Sequence, residues 1–140
     1  MAINYKVIQK VQPGVKGGGK KKFYPNISYS GEVTIDDMVK EIEKFSALSE
    51  PDIRGVILAL ENVVQNQLAD SKIVRMDKLG SFYPAIHCEG REKEEDVNTQ
   101  CIKRISVKYR TGKRILDTMK AKGFKKVSNK KTNDKPEEGK

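Results

Sequence analysis

The sequence predicts an α+β fold in which two acidic helices are flanked by basic strands. Three observations predict it. Residues 34–68 carry apolar side chains at helical spacing behind two start signals. Segments 3–11, 22–30, 72–76, 81–88 and 101–110 are strand-like and are bounded by Gly, Pro or polar clusters. Charge is segregated: residues 34–70 hold 3 basic and 8 acidic side chains, whereas 102–140 hold 14 and 4.

In chain order, INYKVIQKV (3–11) alternates as a strand should. PGVKGGGKKK (13–22) is too rich in Gly and Lys for regular structure and reads as an exposed basic loop, either a solvated linker or a phosphate-touching finger. It lacks the GxxxxGK[ST] spacing of a nucleotide-binding loop. KFYPNISYS (22–30) resumes strand chemistry, with Pro25 marking an edge or bulge. Together these make a β-hairpin.

Thr34 caps the first helix, and Asp37 three residues on completes a capping-box pattern. Ile35, Met38, Val39, Ile42 and Phe45 form its stripe. Ser49-Glu50-Pro51-Asp52 opens the second helix. There Ile53, Val56, Ile57, Leu60, Val63, Val64 and Leu68, widened by Leu58 and Ala59, give more apolar surface than one partner helix can cover. Such a surplus in so small a domain predicts a second subunit. KIVRM (72–76) and SFYPAIHC (81–88) follow as strands joined by Asp77-Lys78-Leu79-Gly80. CEGREKEEDVNTQC (88–101) is polar and turn-like. The next strand, 101–110, slips in alternation near Arg104, the mark of a bulge. Thr111-Gly112 breaks it, Lys113–Lys122 forms a short basic helix, and Gly123 ends that helix. FKKV docks on the sheet.

The bulk properties narrow the function. A net charge of +9 with positive ends favours an anionic partner. No run of ~18 apolar residues is present to span a membrane, and no signal peptide is visible. Cys88 and Cys101 can face each other across a hairpin, but without a CxxC or a disulfide framework they read as a reduced cytoplasmic pair. With His87 as the single histidine there is no metal-ligand set, no Ser/His/Asp arrangement and no cofactor motif. We therefore expect a protein that is not an enzyme and takes no metal, cofactor or small-molecule substrate. The constellation that carries chemistry is KYRTGKRI with Lys103, Arg104, Lys120 and Lys122: a basic strand leads through Thr-Gly to a helix N-terminus flanked by Lys113 and Arg114, which suits phosphate.

The order of elements and two short segments resemble the HU/IHF-type bacterial nucleoid DNA-binding proteins. DKLGSF (77–82) is similar to that family's glycine-phenylalanine turn, and VKYRTGKRI (107–115) to its basic strand-to-helix segment. The likeness covers about residues 33–122. The preceding hairpin with KKFYP resembles a divergent Bacteroidetes-type branch. The resemblance implies an HU/IHF-like fold: a helical dimer body, an antiparallel sheet, a β-arm, and here an extra N-terminal hairpin. It divides the chain into a 1–32 extension and a 33–127 DNA-binding domain; SNKKTNDKPEEGK (128–140), with no apolar anchor, reads as a disordered tail. The resemblance also implies two β-arms reaching around the DNA minor groove, with an apolar residue, usually proline, wedged between base pairs at each tip. The arm region 88–101 departs from this pattern, having no proline and carrying Glu89, Glu92, Glu94, Glu95 and Asp96.

What carries over is the body. Gly80 and Ser81 are implied as backbone and hydroxyl donors, with Lys78, Lys113 and Arg114 as cations, and Lys103, Lys108 and Arg110 on the strand leading from the arm. The expectation is a cytoplasmic, nucleoid-associated homodimer that binds double-stranded DNA through backbone phosphates with little sequence preference. The alternative is a dimeric protein-interaction module of the same fold, suggested by the acidic arm. RNA binding is a third option that no RNP, KH or stacking-aromatic pattern supports.

Overall fold

The computed structural model describes residues 1–128 and divides into two compact units. One comprises Met1–Glu32 with the described residues from Met119 onward; the other is Val33–Thr118. The tail expected at 128–140 lies, beyond its first residue, outside the described residues.

In the first unit, β1 (Ile3–Val11) pairs antiparallel with β2 (Lys21–Ile27), from Tyr5 opposite Ile27 to Val11 opposite Lys21. The connecting loop places Gly14, Gly17, Gly18 and Gly19 at positive φ, which accounts for the glycine run at its tip. β2 stops at Ile27, short of the expected Ser30. The pair is not a lone hairpin. Phe124–Lys126, here β6, lies parallel to β1 and completes a three-stranded sheet of order β2-β1-β6. Hydrogen bonds from Ile3 N to Gly123 O (2.9 Å) and from Val127 N to Tyr5 O (2.9 Å) continue the pairing at both ends of β6.

The second unit opens with α1 (Ile35–Phe45) and α2 (Glu50–Ala69). The capping box is complete: Thr34 Oγ1 accepts from Asp37 N at 3.3 Å, and Asp37 Oδ2 accepts from Thr34 N at 3.0 Å. Ser49 precedes α2 as expected, but its hydroxyl donates to Asp52 Oδ2 (2.6 Å) instead of accepting a backbone N–H. The end of α2 carries a capping motif with no glycine. Ser71 adopts φ +61, Ser71 N donates to Leu68 O (3.0 Å), and Lys72 N donates to Gln67 O (3.1 Å). This is the Schellman pattern. Val39 (0% exposed) in α1 and Ile53 (3%) in α2 are the buried residues of the two helices. Val56, Leu58, Leu60 and Val63 stay exposed, as the width of their stripe foretold.

A second sheet follows, with β3 (Val74–Arg75), β4 (Gly80–Cys88) and β5 (Ile102–Thr111) in that order, all antiparallel. The strand expected at 72–76 is thus two residues long. Asp77–Leu79 makes a 3-10 turn into β4. The expected bulge is present: His87 faces Arg104 but Cys88 faces Ile102, which leaves Lys103 unmatched. The ribbon ends there. Of the 88–101 segment expected as a β-arm, Cys88 ends β4 and the remainder contains 3-10 turns at Glu94–Asp96 and Thr99–Cys101. Five acidic side chains in eight positions cannot alternate with apolar ones, so this segment offers no face for a ribbon to bury. Finally α3 (Lys113–Lys122) forms as the sequence predicts, with Gly123 at φ +67 beyond its end.

Candidate nucleic-acid interface

The register of β4 and β5 sorts their side chains onto two unlike faces, because residues opposite each other in an antiparallel pair share a face. One face carries Phe82 opposite Tyr109, Pro84 opposite Val107 and Ile86 opposite Ile105, with Val74 of β3 beside Phe82. The Phe82 and Tyr109 ring centroids lie 5.2 Å apart with the rings tilted by 38°. Toward the far end this apolar face is open: Ile86 is 66% and Ile105 77% exposed.

The other face is cationic. Arg75, Ser81 and Arg110 form one row across β3, β4 and β5, followed by Tyr83 opposite Lys108 and His87 opposite Arg104. Tyr83 organises this face. The guanidinium of Arg110 stands 5.1 Å from the ring centroid and that of Arg75 5.9 Å, and Arg75 Nη1 donates to the Tyr83 hydroxyl at 3.4 Å. A guanidinium packed on an aromatic ring loses rotamer freedom while keeping N–H donors for an anion.

Close packing joins this face to the start of α3. The Tyr109 hydroxyl donates to the Leu79 carbonyl. Gly80 is buried beneath the same residue, and a Cβ there would sit 2.7 Å from Tyr109 Cε2 and collide with the Arg110 carbonyl. A Cβ on Gly112 would collide with the Lys78 carbonyl. The two segments singled out in the sequence, 77–82 and 107–115, are therefore locked together. Lys78, Lys113 and Arg114 emerge, exposed, from either side of that lock. α1 has Asp36 and Asp37 in its first turn and α2 has Glu50 and Asp52, but α3 starts with Lys113 and Arg114. Cations beside the exposed N–H groups of a helix N-terminus reinforce its positive field.

Placed residue by residue, Ser81, Lys108 and Arg110 share the cationic face, and Lys78, Lys113 and Arg114 adjoin it. Two of the expected residues are placed differently. Gly80 is buried within the turn. Lys103, displaced by the bulge, ion-pairs with Glu89. Arg104 of the basic constellation joins the face opposite His87. Arg75 and Tyr83, which the sequence did not single out, join it through strand parity, a signal that becomes legible only once Ser81 is known to pair with both Arg75 and Arg110.

Comparison with known proteins agrees with this architecture. The sequence profile of the family HU-HIG, described as an HU domain fused to a wHTH, Ig or glycine-rich motif, matches residues 1–126. A search of curated proteins finds no match. Among solved structures, the chain is similar in fold to a candidate bacterial DNA-binding protein from Bacteroides vulgatus ATCC 8482, with a TM-score of 0.65 at 13% identity. That likeness covers 94% of this chain and 50% of the other, so this chain spans about half the length of that protein.

Proposed function

Because this chain belongs to the HU-HIG family, we propose that it binds double-stranded DNA through backbone phosphates, as a dimer and with little sequence preference. The observation that carries the reading is the cationic face of the β3-β4-β5 sheet, where Arg75 and Arg110 flank Tyr83 and Lys108 stands opposite that ring. Arginine and lysine side chains on a sheet, with a hydroxyl at Ser81 and a cationic helix N-terminus beyond, make phosphate contacts that position a duplex without reading its bases. The dimer is supported by what one chain leaves uncovered. Among the described residues the buried apolar side chains are Val39, Ile53 and Cys101, whereas α2 and the far end of the apolar sheet face are open. Patches of that kind mark association surfaces.

The mechanism is charge neutralisation with counterion release. With ~4 phosphate contacts from each side of the dimer, the log–log dependence of affinity on salt has a slope on the order of −7. A cytoplasmic, nucleoid-associated architectural role fits such binding, and no catalytic role is proposed. The acidic 89–96 segment favours shallow engagement over arms that wrap and wedge, since its carboxylates repel phosphate. The same segment supports the second reading, a protein-interaction module for a basic partner. Gel-shift titration against linear, nicked and cruciform DNA, with and without Lys113→Glu/Arg114→Glu, decides between them. Salt-sensitive binding abolished by the double reversal supports the first reading; absence of binding to every DNA form supports the second.

A further inference from the structure

We propose that Cys88 and Cys101 form a reversible dithiol–disulfide pair that staples the closing end of the β4–β5 ribbon, with a low-molecular-weight disulfide as the oxidant. The argument begins with register. Cys88 is the last residue of β4 and lies opposite Ile102, and Cys101 directly precedes Ile102. The 3-10 turns at Glu94–Asp96 and Thr99–Cys101 bring the chain back to this point. The second turn is fixed locally, since Asn98 Oδ1 accepts from Gln100 N at 3.0 Å and Asn98 O accepts from Cys101 N at 3.1 Å.

The two thiols differ in a way that suits sequential chemistry. Cys88 is half-buried, whereas Cys101 is buried and forms part of the wall of a cleft of about 470 Å³ that Arg91, Glu95, Asp96, Asn98 and Gln100 also line. Each thiol donates to a nearby backbone carbonyl, Cys88 to Glu89 O (3.1 Å) and Cys101 to Asn98 O (2.9 Å), and the proximity of the two thiols chiefly sets the acidity of both. It holds Cys101 below the usual thiol range and pushes Cys88 above it, while Arg91 favours the thiolate of each. The more exposed Cys88 is the thiol that a small disulfide reaches first, and the acidic Cys101 is suited to the second, resolving attack.

The exchange balances. Cys88 loses its proton and attacks one sulfur of the small disulfide, forming a mixed disulfide and releasing one thiolate. The Cys101 thiolate then attacks Cys88 Sγ, forms the internal disulfide and displaces the second thiolate. The protein loses two protons and two electrons, and the oxidant becomes two thiols. The closed ring encloses the acidic segment Glu89–Asp96 and holds Glu89 close to Lys103, its ion-pair partner.

The full chain equilibrated across glutathione disulfide/glutathione ratios, acid-quenched and alkylated, tests this by mass spectrometry. The expected result is loss of both alkylation sites together, in a species with no link between chains. A proteolytic peptide should join Cys88 to Cys101, and a dithiol should reverse the change. Trypsin cleavage after Arg91 and Lys93 should slow on the order of tenfold in the oxidised form, because stapling suppresses local opening. Cys101→Ser should stop at one glutathione adduct on Cys88, without protection. Full alkylation at every ratio, a disulfide only between chains, or a persistent mixed adduct in the unaltered protein would overturn the proposal.

Discussion

The Tyr109 hydroxyl donates a hydrogen bond to the Leu79 carbonyl, 30 residues away in the sequence, and its ring covers Gly80. This contact fastens the 77–80 turn to the end of β5, and it explains why the turn ends in glycine. Gly80 has φ +126 and ψ −165, a region in which any side chain is strained. Gly80→Ala adds a Cβ collision with the Arg110 carbonyl to that strain. It should cost about 3 kcal/mol in urea denaturation. Tyr109→Phe, which removes one hydrogen bond with a solvent-accessible acceptor, should cost about 1 kcal/mol. A Gly80→Ala variant as stable as the parent would show that this packing is dispensable.

The salt dependence of DNA binding separates free cations from paired ones. Lys113→Ala/Arg114→Ala should reduce the magnitude of the log–log slope by about 1.8 for each copy engaged. Lys103→Ala should leave it nearly unchanged, because Glu89 already neutralises that ammonium. Glu89→Gln should then strengthen binding at low salt by freeing Lys103. A Lys103→Ala loss as large as that of the double variant would return Lys103 to the interface.

These contrasts show where the sequence was legible and where it was not. Apolar spacing and start signals placed α1, the opening of α2 and all of α3, because those signals lie within a few residues of what they specify. The slip near Arg104 correctly marked a bulge. By contrast, the cationic face depends on pairing between β3, β4 and β5, so Arg75 and Tyr83 could not be grouped with Arg110 from local pattern. FKKV was expected to dock on a sheet, but that its partner is β1, separated from it by most of the chain, was hidden for the same reason. Composition made 88–101 polar and turn-like, which holds beyond Cys88, the last residue of β4; the expectation of an arm there came from resemblance.

The end of α2 offers a stability test independent of DNA. Ser71 fills the left-handed position of a Schellman motif, where a Cβ meets the following carbonyl. Ser71→Gly should therefore stabilise the protein by about 1 kcal/mol in chemical denaturation, since relief of strain outweighs the extra freedom of the unfolded chain. A destabilised variant would mean that the serine makes a compensating contact.

The open apolar face of β4 and β5 predicts association. Ile105→Lys places a charge on a side chain that is 77% exposed in the single chain, so the isolated fold should tolerate it. If the face is covered by a second copy, light scattering should show the mass falling by half, with DNA affinity falling in parallel. Retention of the dimer would move its interface to the exposed side of α2.

Acid sensitivity should trace in part to the α1 cap. The Asp37 carboxylate accepts from the backbone N–H of Thr34 and from its hydroxyl (2.8 Å), and these bonds hold its pKa below the ordinary 3.8. A carboxyl depressed in the folded state releases its proton more readily there than in the unfolded chain. Its contribution is therefore present in full above the unfolded value and is lost as pH falls through the folded one. Asp37→Asn should lower stability at neutral pH and flatten the acid limb of the stability–pH curve below about pH 4. Thr34→Ala should flatten it in the same direction and cost about 1 kcal/mol at neutral pH by removing the cap. The two effects should not add, because each substitution breaks the same reciprocal pair. Urea titrations of both single variants and the double variant from pH 2 to 7 measure this. An unchanged acid limb in Asp37→Asn would assign the acid sensitivity to other carboxylates.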